Sequence, residues 1–106
     1  MTIDDPNAAL ILFSKKSPTI HRILIKLVGE EKTIYDLKVE LHLNPGNIKR
    51  HIDELLAYGF IAQVREAKND MGMTLKFYRA KAKRFIFKFE WNVSILDQFL
   101  SVLDKS

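Results

Sequence analysis

The sequence predicts an α+β domain that is mainly helical, because its hydrophobic periodicity changes once along the chain. Up to about Tyr58, apolar residues recur at the spacing of amphipathic helices, most clearly at Ile48 and Ile52. Beyond that point two β-prone runs follow, Phe60–Glu66 and Met73–Ala80, separated by a polar, turn-like segment. The pattern therefore indicates several helices followed by a β-hairpin.

The length of 106 residues fits one domain. We expect a single domain over residues 1–106, with a core over 18–82 and flanking helices over 1–16 and 92–106. Hydrophobic residues make up 47% and charged residues 28% of the chain, the composition of an ordinary globular protein rather than a disordered one.

Two Pro-containing signals mark the start of the first two helices. Asp5–Pro6 and Ser17–Pro18 each place a capping residue before a proline, and proline fits the first position of a helix. The first signal predicts a helix from Pro6 to Phe13 or Lys16. The second predicts a helix that ends at about Gly29.

Two further helices are separated by a tight turn. Thr33 is expected to cap a helix over about 34–42, and Asn44 a helix that begins at Pro45 and ends at Tyr58–Gly59. This arrangement is a helix-turn-helix, in which the first helix braces the second and the second enters the major groove of DNA.

The second of these helices carries polar residues opposite its apolar stripe. Gly46, Asn47 and Arg50 point away from the stripe, and Lys49 and His51 flank them. Asn and Arg side chains can form paired hydrogen bonds to adenine and guanine edges. Glycine at position 46 would allow the backbone to approach a phosphate closely.

Three of these residues have structural alternatives. Arg50 could form a salt bridge with Glu54 one turn further on. Asn44 could serve only as a helix cap, and His51 could be a partly buried structural histidine.

Positive charge is concentrated behind the helix-turn-helix. Residues 1–63 hold eight Lys/Arg and eight Asp/Glu, residues 64–88 hold eight against two, and residues 89–106 have a net charge of −2. Such a concentration is typical of a phosphate-binding surface, although a solvated lysine-rich face has the same composition. The candidate phosphate contacts are Arg65, Lys68, Lys76, Arg79, Lys81, Lys83 and Arg84.

The segment 43–61, LNPGNIKRHIDELLAYGFI, resembles the recognition helix and wing entry of ArsR-type and MarR-type winged-helix repressors. Phe77–Ala80 is similar to their second wing strand, and the resemblance covers about residues 18–82. It implies a dimeric transcription regulator that binds a palindromic operator in double-stranded DNA, with the helix over about 45–58 in the major groove and the wing over about 60–80 on the backbone or minor groove. The residues that match the family's DNA contacts are Asn44, Gly46, Asn47, Lys49, Arg50 and His51 in the helix and Lys68 and Asn69 at the wing tip.

The chain departs from that family in three places, one of which is the Phe-rich segment over Phe85–Trp91, where the family often begins a helix. Metal-sensing members carry cysteines near the helix-turn-helix, and this sequence has none. The wing tip contains Asp70 and Met71, neither of which is an obvious phosphate ligand.

Apolar helices at both ends predict a homodimer, although each could instead pack on the monomer's own core. The candidate interface residues are Leu10, Phe13, Leu96, Phe99, Leu100 and Leu103. Between them, alternating aromatics over Phe85–Trp91 predict a third strand, with a helix as the alternative. We expect these aromatics to belong to the core or an interface rather than to a base-stacking platform.

Several function classes find no support in the sequence. The absence of cysteine excludes disulfides and a thiolate metal site, and the spacing of His21, His42 and His51 matches no metal-ligand motif. No catalytic constellation or Gly-rich phosphate loop is present, so we expect neither an enzyme nor a cofactor. No apolar run could cross a membrane, and the N-terminus lacks the features of a secretion signal, which favours a cytoplasmic protein.

The leading hypothesis is a sequence-specific, homodimeric DNA-binding transcription regulator. An architectural DNA-binding protein of low sequence preference and a winged-helix module for protein–protein contact are the alternatives.

Overall fold

The structure is a computed structural model, which describes residues 1–13 and 17–87. Within these residues it contains helices and a small antiparallel hairpin, a combination compatible with an α+β, winged-helix-like fold. The elements in chain order are β1 (Thr2–Ile3), α1 (Pro6–Phe13), α2 (Ser17–Leu27), α3 (Ile34–Leu41), α4 (Pro45–Ala57), β2 (Ile61–Lys68), β3 (Thr74–Ala80) and β4 (Ile86–Phe87). The predicted helix over 92–106, with Leu96, Phe99, Leu100 and Leu103, lies outside the described residues.

The chain divides into two compact units, Met1–His21 with Arg84–Ser106, and Arg22–Lys83. The predicted winged-helix core over 18–82 falls almost entirely in the second unit. The single-domain interpretation of the whole chain stays a prediction.

The first unit contains a short parallel pair of strands. The sequence predicted a strand at the position of β4 but none at the position of β1. β1 pairs with β4, with Thr2 opposite Ile86. The Met1 ammonium donates to the Arg84 carbonyl at 2.9 Å, and the Ile86 N–H donates to the Met1 carbonyl at 2.7 Å. A strand was predicted over Phe85–Trp91, with a helix as the alternative; of its described residues 85–87, Ile86 and Phe87 form a strand, and its partner is β1.

The predicted helix starts are present. The Asp5 carboxylate accepts a hydrogen bond from the Asn7 N–H at 2.9 Å at the start of α1. Thr33 and Asp36 form a capping box at the start of α3, each side chain accepting from the other's backbone N–H. These caps satisfy backbone donors that have no partner within the helix, which is why both helices begin where the sequence indicates.

The turn between α3 and α4 is short and tightly defined. α3 ends at Leu41, and His42 adopts a left-handed conformation with φ 55° while its N–H donates to the Lys38 carbonyl. Asn44 then caps α4, its side-chain oxygen accepting from the Gly46 N–H at 2.7 Å. A left-handed residue at a helix end reverses the chain and satisfies a terminal carbonyl, so His42 does here what glycine usually does.

The core of the second unit includes the apolar faces of α3 and α4 and the residue that leads into the hairpin. Ile52 and Leu55 of α4 are fully buried, as are Leu37 of α3 and Phe60 just before β2. α4 contacts both α3 and β2. α4 is therefore held by its apolar stripe, which leaves its opposite face outside the core.

The hairpin is an antiparallel pair with a third segment at its edge. Gln63 lies opposite Tyr78 and Glu66 opposite Lys76, with an irregularity between Gln63 and Arg65. On the outer side of β3, the backbone of Lys32 exchanges two hydrogen bonds with Tyr78, at 2.9 and 2.8 Å. The loop that precedes α3 thus covers the edge of β3, a contact the sequence did not reveal.

Candidate nucleic-acid interface

The outer face of α4 is exposed. The surface of this face includes Gly46, Asn47 and Arg50, as the helical spacing of the sequence predicted. Arg50 forms no ion pair with any described residue. Glu54, the alternative partner for Arg50, has its carboxylate 3.8 Å from Nδ1 of His51 instead. The Arg50 guanidinium is thus not held by the neighbour that the helical spacing offered.

His51 does not share that exposure. Its side chain is in the buried face of α4, beside Ile52, with 5% of the residue accessible. The helical spacing of the sequence placed position 51 beside the polar face of the helix. In the structure it belongs to the apolar stripe, whose buried residues are 48, 51, 52 and 55. The structure therefore favours the structural alternative for His51, and we leave it out of the proposed contacts.

Gly46 is explained first by the cap of α4. A Cβ at position 46 would lie 3.0 Å from the side-chain oxygen of Asn44, closer than such contacts normally come. The absence of a side chain at Gly46 therefore leaves room for the Asn44 cap. Asn44 and Gly46 are both exposed at the N-terminus of α4. This open N-terminus presents a partial positive charge outward.

Lys49 has a partner on its own helix. Its ammonium lies 2.6 and 2.7 Å from the two carboxylate oxygens of Asp53, and both side chains are about half exposed. The hydrogen bond to Asp53 raises the pKa of Lys49 above its ordinary value. Asp53 was not singled out in the sequence, although its position one turn after Lys49 is the spacing at which such pairs form.

A groove of about 180 Å³ lies between the start of α3 and β3 within the second unit, and Lys49 of α4 also lines it. Its other lining residues are Thr33, Ile34 and Tyr35 from the start of α3 and Thr74, Leu75, Lys76 and Tyr78 from β3. Burial raises the pKa of the Tyr78 phenol. The helix predicted to read DNA and the hairpin predicted to hold its backbone thus border the same groove.

The basic residues of the hairpin are divided between its two faces. Consecutive strand residues point to opposite faces, so Lys76 and Tyr78 lie on one face and Phe77 and Arg79 on the other. Arg65 lies opposite Phe77 in the register, and its guanidinium is 3.6 Å from the centre of the Phe77 ring. Arg65 and Arg79 are therefore on the face that does not carry Lys76.

These two arginines also have partners in the loop before α3. Arg65 Nε lies 2.5 Å from a carboxylate oxygen of Glu31, and Arg79 donates to the Gly29 carbonyl at 3.2 Å. By contrast, Lys68 and Lys76 are exposed and form no ion pair with any described residue. The structure brings Lys76 to the groove with Lys49 and directs Arg65 and Arg79 elsewhere.

Asn69 organises the tip of the hairpin. Its side-chain oxygen accepts hydrogen bonds from the N–H groups of Met71 and Met73, at 3.0 and 2.9 Å. The sequence indicated Asn69 as a nucleic-acid contact, and the structure gives its oxygen a local role. Lys81 and Lys83, further along, are exposed. Arg84 is exposed as well and belongs to the other unit.

Tyr35 is one of the groove residues that the sequence did not single out as a contact. It is 65% exposed in the first turn of α3, and the Lys38 ammonium lies 5.9 Å from its ring centre. The exposed position of this large aromatic side chain was detectable in the sequence, because the helical spacing of Leu37 and Leu41 directs position 35 outward.

Neither a metal site nor a membrane helix is found within residues 1–13 and 17–87. No group of three or more His, Asp or Glu side chains there is arranged to hold a metal ion. No helix of that part is both long and apolar enough to span a bilayer.

The comparisons with known proteins show that the chain shares its fold with a solved structure, and they show no family. No family model and no curated protein matches the chain. Among solved structures, it is similar to a protein from Methanosarcina mazei Go1 described as a possible transcriptional regulator, with a TM-score of 0.57. The match covers 93% of this chain and 76% of that one at 10% sequence identity. At this identity the similarity shows a shared fold.

Proposed function

We propose that this protein is a winged helix-turn-helix DNA-binding protein of the ArsR/MarR-like type and acts as a transcription regulator. α4 enters the major groove, and the β2–β3 hairpin holds the adjacent backbone. The observation that carries the proposal is the groove that Lys49 of α4 and Lys76 of β3 line together. It supports the proposal because a cation of the predicted reading helix and a cation of the hairpin lie at one groove, where the backbone of a single duplex could contact both.

The exposed face of α4 supports a reading role. Arg50 and Asn47 are on the surface, without a described ion pair at Arg50. Arginine pairs with guanine and asparagine with adenine, so these two side chains would distinguish base pairs in the major groove. Lys49 and Lys76 carry no such information and would contact phosphates.

The similarity to the Methanosarcina mazei protein agrees with a regulatory role. It agrees with the resemblance of segment 43–61 to winged-helix repressors. We extend the proposal to a binding protein rather than an enzyme, acting as a homodimer on a two-fold site. Of the candidate interface residues, Leu10 is half-buried in α1, and light scattering of the full chain would test the dimer by its mass.

The test is a fluorescence-anisotropy titration of the full chain with duplex DNA. One duplex is obtained by selection from a random pool, and the other has the same composition in scrambled order. Both are titrated over a range of salt concentrations, because each released counterion contributes to the slope of log K against log salt.

A regulator should bind the selected duplex at least about 10³-fold more tightly than the scrambled one. Equal, strongly salt-dependent binding to both duplexes would instead indicate an architectural protein of low sequence preference. No binding at low salt to either duplex would contradict the proposal and leave a protein–protein module as the interpretation.

A further inference from the structure

The groove between the start of α3 and β3 contains a buried phenol without a hydrogen-bond partner. Tyr78 lines this groove although only 3% of the residue is accessible. Its hydroxyl forms no hydrogen bond with any described residue. Burial raises the pKa of this phenol, so the hydroxyl keeps its proton at neutral pH and can donate it to a ligand. A buried polar group without a partner calls for an explanation, and a bound ligand is one.

The start of α3 brings two backbone donors to the same groove. The capping box uses the N–H groups of Thr33 and Asp36. Between them, the N–H groups of Ile34 and Tyr35 form no hydrogen bond with any described residue, and both residues line the groove. Free N–H groups at a helix start bind phosphate and other anions.

Two lysines add positive charge to these donors. Lys49 and Lys76 line the groove, and Lys76 forms no ion pair with any described residue. Asp53 contacts the Lys49 ammonium at 2.6 Å, and Glu66, opposite Lys76 in the register, accepts from the Gln63 amide at 3.0 Å. Neither carboxylate is among the lining residues. The charged side chains that line the groove are therefore both cations.

The number of donors favours a phosphate monoester over other anions. Backbone N–H groups, two ammonium groups and a phenol approach the groove from three different elements. A phosphate monoester offers three acceptor oxygens and a charge of about −1.5 to −2 at neutral pH. A carboxylate offers two oxygens and one negative charge, so it would leave more of these donors without a partner.

The size and walls of the groove limit the rest of the ligand. Its volume of about 180 Å³ is below the roughly 300 Å³ at which pockets for drug-sized molecules begin. Ile34 and Leu75 form apolar walls, and the Tyr35 side chain beside them is 65% exposed. A planar ring can pack against such an aromatic side chain. The groove therefore fits a ligand with a single ring.

We propose that this groove binds a small aromatic phosphate monoester and that the bound ligand competes with DNA. The phosphate accepts from the start of α3, Lys76 and the Tyr78 hydroxyl, and the ring packs against Tyr35. The competition rests on the proposed function, because Lys49 and Lys76 are also the proposed contacts to the DNA backbone. Binding of the ligand itself requires no DNA.

An NMR titration of the ¹⁵N-labelled full chain without DNA tests the site. The probe is phenyl phosphate, and we expect it to shift the amides of Ile34 and Tyr35 in a saturable way. Inorganic phosphate, which lacks the ring, should bind about two- to tenfold more weakly. Benzoate, which replaces the phosphate by a carboxylate, should bind about tenfold more weakly because it accepts fewer hydrogen bonds.

Three variants separate the parts of the site. Tyr78→Phe keeps the ring and removes the hydroxyl, and it should weaken binding of phenyl phosphate about tenfold. Lys76→Ala should weaken binding of phenyl phosphate and inorganic phosphate alike, by about tenfold. Tyr35→Ala should weaken binding of phenyl phosphate and leave that of inorganic phosphate unchanged.

The matched control is Lys68→Ala. Lys68 is exposed, forms no ion pair with any described residue and lies on the same hairpin face as Lys76, but it does not line the groove. Its loss removes the same charge and should leave the affinity for phenyl phosphate unchanged. Thermal unfolding of each variant verifies that it is folded.

The competition is measured by fluorescence anisotropy of the full chain with the selected duplex. Added phenyl phosphate should release the duplex over the concentration range in which it saturates the amides of Ile34 and Tyr35. Sodium chloride at the same ionic strength should release less, because it screens the charges without occupying the groove.

Absent shifts at Ile34 and Tyr35, or a Tyr78→Phe variant with wild-type affinity, would overturn the site. Equal affinity for inorganic phosphate and phenyl phosphate would overturn the aromatic ligand and leave an unselective anion site. A saturated groove with the duplex still bound would overturn the competition. A wild type that binds no duplex in the absence of ligand would overturn the proposed function, and the titration without DNA would then decide on the ligand site by itself.

Discussion

α4 and the β2–β3 hairpin use their polar residues in different ways. On the outer face of α4, Arg50 has no ion pair within the described residues, and the one pair on that side is Lys49 with Asp53. On the hairpin, Arg65 and Arg79 are engaged by the loop before α3. Arg50 on α4 is therefore available to contact DNA. On the hairpin, two of the four basic residues instead bind the loop before α3.

A charge count therefore overstates the phosphate-binding surface of this chain. Residues 64–88 carry a net charge of +6 in the sequence. Two of these cations, Arg65 and Arg79, act locally on the hairpin face opposite Lys76. The attraction to DNA should come from fewer groups than the count suggests, chiefly Lys68 and Lys76 with the exposed Lys81.

The largest expected effect is on base preference and concerns α4. Arg50→Ala should cost about 1–3 kcal/mol on the preferred duplex and relax the preference at one base pair, since a paired contact to a base edge is lost. Anisotropy titrations against single-base variants of the selected duplex would measure it. An equal loss on every sequence would mean that Arg50 contacts a phosphate, and α4 would lose its reading role.

The second prediction separates the two faces of the hairpin. Lys76→Ala should weaken binding equally on all sequences and flatten the salt slope by about 0.9. Arg65→Ala should leave the slope unchanged and lower the free energy of unfolding by about 1 kcal/mol, because its contacts with Phe77 and Glu31 stabilise the fold. Paired salt titrations and thermal melts of the two variants provide the comparison. A flatter slope for Arg65→Ala would place that arginine on the DNA.

Much of the fold could be predicted from the sequence because its signals are local. The caps at Asp5, Thr33 and Asn44 lie where the residue types indicate, and the hairpin follows the change of periodicity after Gly59. The loop contact between Lys32 and Tyr78 and the pairing of β1 with β4 join residues far apart in the chain. No local pattern encodes such contacts.

The candidate site was predicted less completely. The outward position of Arg50 follows from helical geometry, but the partners of Arg65 and Arg79 depend on how the hairpin meets a distant loop. Helical spacing alone did not predict the burial of His51. A residue at the border of an apolar stripe is buried or exposed according to what packs beside it. Its burial here comes with the stripe that includes Ile48 and Leu55.

A third prediction concerns the acid on the reading helix. Asp53→Asn should strengthen binding to all duplexes by about 0.5–1 kcal/mol, because it releases Lys49 and removes one repulsive charge. The salt slope should steepen by up to about 0.9, because in the wild type Asp53 partly neutralises the charge that Lys49 offers to its phosphate. The control is Lys49→Ala/Asp53→Asn, in which the steeper slope should be absent. Weaker binding of Asp53→Asn would show that Asp53 itself contacts a base.

The smallest expected effect concerns the attachment of the hairpin edge. Lys32, whose backbone bridges to β3, directs its ammonium to the Glu40 carboxylate at 2.8 Å. That hydrogen bond lowers the pKa of Glu40 from its ordinary 4.5. The pair therefore stabilises the fold above that pH, and the contribution is lost as the pH falls through the lowered value.

Urea unfolding of the wild type and of Glu40→Gln would measure this contribution. The wild type should be modestly more stable at neutral pH, and the difference should vanish in strong acid, well below the ordinary pKa of Glu40. A difference that persists in acid would assign the effect to packing rather than to charge.

NMR chemical-shift mapping would show whether α4 and the hairpin bind one duplex together. The ¹⁵N-labelled full chain is titrated with the selected duplex, and shifted backbone amides are located in the structure. We expect the amides of residues 46–50 and 74–76 to shift together, at the same DNA concentration, while those around Ile25 stay in place. Shifts confined to one of the two elements, or to the hairpin face of Arg65 and Arg79, would contradict it.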